Sequence, residues 1–163
     1  MSVRIETVPE HGGAPLLAVA RALVAEYAAL PHTVGRWSNA AADIAALPQP
    51  FVAPRGALLV ALDDGGALGC GALRHFEPGI VEIKRMYVRP AARGRGVGEA
   101  LLRALLHRAA HLGYDRVRLD TAPELLAARA LYGRLGFEPI PHYQPGLLPD
   151  TLCFERVLGA RET

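Results

Sequence analysis

The chain has 163 residues, enough for one domain that buries roughly two-thirds of the surface its unfolded form would expose. Hydrophobic residues make up 51% of it and no apolar run approaches the ~18 residues of a membrane span, which leads to the expectation of a soluble protein with no membrane partner. The formal charge is only +2 and aromatics are 6%, a poor match to the broad basic, aromatic-studded face of a nucleic-acid binder.

The opening MSVRIETVPEHGG lacks a signal-peptide pattern, so a cytoplasmic location is expected. Ser2 to Thr7 reads as a first strand. From Ala14 to Leu30 the apolar residues Leu16, Leu17, Ala20, Leu23, Val24 and Tyr27 recur at helical spacing, and Pro31 ends the run. A shorter helix is predicted over Asn39 to Leu47, closed by Pro48 and Pro50. Between the two lies a turn-rich segment carrying the only tryptophan, Trp37.

Three strand patterns follow. Ala57 to Leu62 and Ala67 to His75 flank Asp63-Asp-Gly-Gly66, a hairpin signal, and a turn at Glu77 to Gly79 leads into Ile80 to Val88. After a glycine-arginine stretch, Val97, Leu101, Leu102, Leu105, Leu106, Ala109 and Leu112 form an amphipathic stripe that Gly113 terminates. Arg116 to Asp120 is a short strand, and Pro123 to Leu135 a helix stopped by Gly136. Phe137 to Ile140 and Thr151 to Leu158 are the last strands, separated by a Pro/Gly-rich loop. This order predicts a single α/β (α+β) domain over residues 1–163.

Cys70 and Cys153 both sit in apolar strand patterns and read as buried thiols, with neither a disulfide framework nor a metal site. His107 and His111 are four apart on a helix but lack a third ligand, so no metal is expected.

Charge is distributed unevenly. Residues 84–108 hold seven basic residues against one acid, a local +6 in a chain whose total is +2. At the centre of this segment Arg93-Gly-Arg-Gly-Val-Gly98 joins a strand to a helix. Glycine-rich backbone there lets N–H groups converge on an anion, and the helix N-terminus adds partial positive charge. Arg93 and Arg95 can supply forked donors to phosphate oxygens. The spacing is neither the dinucleotide fingerprint nor a P-loop, although Asp120 could imitate the acidic ribose ligand of a nucleotide-dependent oxidoreductase.

The run Arg93 to Gly98 resembles the R/Q-x-x-G-x-G/A loop of the GNAT superfamily of N-acetyltransferases. Met-Tyr-Val-Arg-Pro (86–90) before it, and Ala128-Arg-Ala-Leu-Tyr132 with Leu135-Gly-Phe137 after it, are similar to the superfamily's other signatures, so the resemblance covers about residues 80–140. It implies a splayed, mixed sheet of about six to seven strands flanked by four helices. Acetyl-CoA would lie between Ile80 to Val88 and Arg116 to Asp120, with Arg93, Gly94, Arg95, Gly96, Val97 and Gly98 around its pyrophosphate. Met86, Tyr87 and Val88 would pair with the pantetheine arm, and an N–H at Tyr87 or Val88 would meet a tetrahedral oxyanion.

Acetyl transfer to an amine needs a base for the ammonium and an acid for the departing thiolate. The resemblance makes Tyr132 the candidate acid and Glu82 the candidate base, acting through water. Many members carry an asparagine seven residues before the tyrosine. Here that place is Leu125, and Arg129 is the candidate replacement as a phosphate partner. An acceptor pocket is expected from Trp37, Arg74, His75, His142 and Tyr143. The acceptor is then a primary amine of a small molecule or protein, and the superfamily habit of pairing makes a homodimer an expectation too. The rival is a non-catalytic acyl-CoA sensor that keeps the phosphate loop but transfers nothing.

Overall fold

The computed structural model describes residues 2–159. Seven strands and four helices follow in the order β1 (Arg4–Thr7), α1 (Ala14–Ala28), α2 (Ala40–Ala46), β2 (Ala57–Asp63), β3 (Gly66–Glu77), β4 (Ile80–Val88), α3 (Val97–His111), β5 (Arg116–Thr121), α4 (Leu126–Arg134), β6 (Glu138–Ile140) and β7 (Leu152–Val157). The strands form one sheet, ordered β1-β2-β3-β4-β5-β7-β6. All its pairs are antiparallel except β4 with β5. A mixed seven-stranded sheet with four helices is the expected class.

Alternation along the strands sorts side chains onto two faces, each with its own core. On β2, Ala57, Leu59 and Ala61 join a back cluster with α3, whereas Leu58 and Val60 join a front cluster with α1. The back cluster rests on the stripe read from the sequence: Val97, Leu101, Leu102, Leu105, Leu106 and Ala109 are all buried. Each fully buried leucine contributes roughly 1.5–3 kcal/mol, which makes this helix the main fastening of the sheet's centre. On the front, Ala20, Leu23 and Val24 of α1 are buried. Among the described residues no helix is long and apolar enough to cross a membrane.

Three local features depart from the sequence reading. The last helix begins at Leu126 rather than Pro123, because Leu125 N–H donates to the Ala122 carbonyl in a preceding turn. A single 3₁₀ turn at Pro90–Ala92 intervenes between β4 and the glycine loop. The third is a bulge in β4: Cys70 pairs with Tyr87 and Ala72 with Lys84, so Arg85 and Met86 together oppose Gly71. Arg85 takes φ 57° there, in the left-handed region.

Candidate active site

The parallel pair β4–β5 holds for only three rungs, Ile80–Arg116, Val81–Val117 and Glu82–Arg118. Beyond them the strands part. β4 keeps its ladder to β3 through the bulge, while β5 follows β7, and the gap opens into a cleft of about 1160 Å³. Residues from both faces line it: Tyr27, Lys84 and Asp120 from the front, Met86, Val88, Leu119, Leu131 and Tyr132 from the back.

At one end stands the glycine loop. Gly94 and Gly96 have φ near +78° and +77°, a conformation that a Cβ would strain, and Gly96 is the N-cap of α3. No side chain caps this helix, and the first backbone bond of its opening turn is Ala100 N–H to the Gly96 carbonyl. The amides of Val97, Gly98 and Glu99 are thus left free beside the cleft, a ready anion site. Space is available too, since an added Cβ at Gly94 or Gly96 would meet nothing within 4 Å. Arg93 lines the cleft, its Nε 3.3 Å from the Val88 carbonyl.

Two expected phosphate partners lie elsewhere. Arg95 reaches back to Asp63, donating through Nη2 at 2.8 Å. That contact and the Gly65 N–H hold the Asp63 carboxyl below the usual carboxylate range. Arg129 donates to the Pro123 carbonyl at 2.9 Å and is absent from the cleft wall, which instead has Arg134. Leu125, at the place of the family's asparagine, lines the wall with an apolar side chain.

In the middle of the gap is Tyr132. Its ring is packed against Phe137 and Phe154, and its hydroxyl makes no hydrogen bond among the described residues. Burial pushes the phenol well above its ordinary pKa, and the nearby Tyr27 and Asp120 push the same way. It is therefore a protonated donor at any physiological pH. Through the gap, Asp120 on the front face is close enough for its charge to be felt by Tyr132 on the back.

Glu82 lies on the front face with no exposed surface. Arg74 Nη2 donates to its Oε1 at 2.7 Å, Tyr143 Oη to its Oε2 at 2.5 Å, and Gln144 Nε2 to Oε2 at 3.4 Å. Lys84 Nζ stands 3.5 Å from the same Oε2 and 3.2 Å from Asp120 Oδ2. Glu82 forms no part of the cleft wall, whereas its neighbours Arg74, Lys84 and Asp120 do. Charge pairing and hydrogen bonding offset the desolvation that burying a carboxylate costs.

At the far end Trp37 lines the cleft. Its Nε1–H donates to Asp43 Oδ2 at 2.6 Å, and the Arg85 guanidinium lies 3.6 Å above its ring. The positive φ at the bulge aims Arg85 this way, with burial lowering its pKa. Arg74 reaches the cleft but His75 does not. Adjacent residues of a strand point to opposite faces, and His75 Nδ1 meets Tyr114 Oη at 3.1 Å on the back. His142 is tied to the Thr151 carbonyl at 2.7 Å, inside its own loop, and Tyr143 serves Glu82 rather than the wall. Sequence reasoning missed Asp43 and Arg85 altogether, saw Lys84 only as a salt-bridge partner for Glu82, and gave Asp120 only a nucleotide role. The alternation in RVRLD, with Val117 and Leu119 inward, was the available signal that Asp120 shares a face with Arg118.

Among known proteins, an uncharacterised N-acetyltransferase of Schizosaccharomyces pombe is 41% identical over 101 residues, 61% of this chain and 62% of that one. The chain thus matches less than two-thirds of that relative's length. An IAA acetyltransferase of Azospirillum brasilense is 34% identical over 125 residues, covering 74% of this chain and 78% of the relative. The fold is similar to that of PaiA N-acetyltransferase from Thermoplasma acidophilum, solved in complex with coenzyme A. There the TM-score is 0.66 at 17% identity, over 96% of this chain and 99% of that one. Residues 20–137, which include the glycine loop, the divided strands and Tyr132, match the model of the acetyltransferase (GNAT) family, and the chain belongs to that family.

Proposed function

We propose that the protein is an N-acetyltransferase that moves acetyl from acetyl-CoA to a primary amine of a small molecule or protein. The observation that carries this reading is the parting of β4 and β5 directly after Glu82 and Arg118, with free helix-terminal amides at one end and an unpartnered, protonated tyrosine midway. Acetyl-CoA supplies the thioester, an acyl group already activated toward attack by nitrogen. The chain's own residues do the rest. Free amides at Val97, Gly98 and Glu99, with Arg93, bind a pyrophosphate. Met86, Tyr87 and Val88 keep the unpaired edge of β4, where an extended arm with amide groups can add like a strand. Tyr132 holds a proton on its hydroxyl and gives it to the departing sulfur.

Trp37, Arg74 and the surrounding front-face groups form the acceptor end. Free buried thiols at Cys70 and Cys153 support a reducing, cytoplasmic setting.

The experiment is release of CoA thiol from acetyl-CoA across amino acids, polyamines, arylamines and peptides, run beside Tyr132→Phe. Release with one acceptor class, reduced roughly 100-fold or more in the variant at unchanged acetyl-CoA affinity, is expected. Tight acetyl-CoA binding with no transfer to any acceptor would favour the sensor instead.

A further inference from the structure

Resting on that reading, we infer that Asp120 is the catalytic group that takes the proton from the incoming ammonium, and that Glu82 is a positioning residue acting through Lys84 and Tyr143.

Access decides between the two carboxylates. Glu82 has no exposed surface and all of its approaches are filled by Arg74, Lys84, Tyr143 and Gln144. A nitrogen approaching the cleft meets these partners, not the carboxylate. Asp120 lines the cleft with 22% of its side chain exposed. Its Oδ2 is held by Lys84 Nζ at 3.2 Å and by Tyr143 Oη at 3.5 Å, while Oδ1 accepts no hydrogen bond among the described residues. One oxygen is fixed and the other is open to a substrate or a water.

Placement supports the same choice. Asp120 projects from β5 two residues past Arg118, the last rung before the strands part. It stands on the front face, opposite Tyr132 on the back, and its charge reaches Tyr132 across the gap. A thioester lying in that gap has a proton acceptor on the side from which nitrogen attacks and a donor on the side to which sulfur leaves. The protons then balance. The ammonium gives one to Asp120, which passes it to solvent. As the C–N bond forms and the C–S bond breaks, Tyr132 protonates the sulfur, and the second nitrogen proton restores the phenol through water. Amide, free thiol and one proton leave.

The Lys84–Glu82–Tyr143 cluster sets the orientation of this carboxylate. Lys84 bridges Glu82 and Asp120, and Tyr143 touches both. The other titratable groups whose charge reaches Asp120 are Tyr27 from α1, Cys153 from β7 and Tyr132 from α4.

The test compares an aliphatic primary amine, charged at pH 7, with an arylamine, neutral at pH 7, in the wild type, Asp120→Asn and Glu82→Gln. Acetyl-CoA binding and melting temperature are checked in each protein. Asp120→Asn should lower kcat/KM for the aliphatic amine about 100-fold at pH 7, recover it as pH rises toward the amine's own pKa, and leave the arylamine within a few-fold. Glu82→Gln should lower the aliphatic amine only a few-fold, less than Asp120→Asn does, spare the arylamine and keep the wild-type pH profile. Equal loss for both nucleophiles in Asp120→Asn, or selective loss of the aliphatic amine in Glu82→Gln alone, overturns the assignment. A wild type that binds acetyl-CoA and acetylates neither these amines nor any other acceptor class tried removes the acetyltransferase reading itself.

Discussion

Asp63, the last residue of β2, and Arg95, in the middle of the glycine loop, are joined at 2.8 Å. Only 3% of the Asp63 side chain is exposed, so a hairpin on one side of the sheet pins the loop that leads into the free amides of α3. Asp63→Asn should therefore raise the KM for acetyl-CoA several-fold while kcat changes little, as steady-state kinetics would show. Because Arg95 lowers the Asp63 pKa, the tie is intact above the ordinary carboxylate range and is lost only as pH falls through the depressed value. Calorimetric affinity for acetyl-CoA should accordingly show no loss attributable to this pair between pH 8 and pH 5.

Gly96→Ala places a Cβ on a left-handed residue at the N-cap of α3. No atom obstructs that Cβ, so the cost is backbone strain of about 1–2 kcal/mol. The melting temperature should fall by roughly 2–8 °C and acetyl-CoA should bind more weakly. Unchanged values for both would mean that the loop does not need this conformation.

Trp37→Ala removes the ring beneath the Arg85 guanidinium and frees Asp43 from its indole partner. The KM for the acceptor amine should rise roughly two- to thirtyfold, the range set by a cation–π contact, with acetyl-CoA KM unaffected. A rise in acetyl-CoA KM alone would move Trp37 out of the acceptor end.

Tyr27, Tyr132 and Tyr143 are all raised above the ordinary phenol value, with burial the leading cause in each. A raised pKa contributes stability that is complete below the unfolded value, about 10, and is lost as pH rises toward the folded one. Thermal melts from pH 8 to pH 11 should hold steady to about pH 10 and then decline. Tyr132→Phe should make that decline shallower. A flat profile to pH 11 would contradict the enclosure of these phenols.

The legible parts of the chain were those governed by short-range periodicity. The stripe of α3, the meander and the loop between Gly94 and Gly98 each announce themselves within about fifteen residues, and the residues that form them are the ones the pattern named. What stayed hidden depends on partners far along the chain. The alternation in IVEIKRMYV puts Glu82 on a face, but its cover by Tyr143, 61 residues away, is a tertiary fact. The pairing of Arg95 with Asp63 likewise spans 32 residues and competes with the phosphate role that local charge implied. His75 could have been separated from Arg74 by strand alternation alone. The bulge at Arg85 had no such signal, since no glycine marks the positive φ.

A gap that opens on both faces of the sheet gives the two reactants separate doorways. Under the proposed function the acceptor would arrive over α1 and Trp37 and the acyl carrier along α3 and α4, so that neither need leave for the other to enter. Among the described residues the cleft wall contains no cysteine, and Cys70 is sealed, its thiol pushed up to about 12 by burial. The wall then offers the acetyl group no thiol to rest on. Initial rates measured at several fixed amine concentrations should give double-reciprocal lines that intersect, the signature of a ternary complex, and parallel lines would require an acyl-enzyme on a side chain other than cysteine.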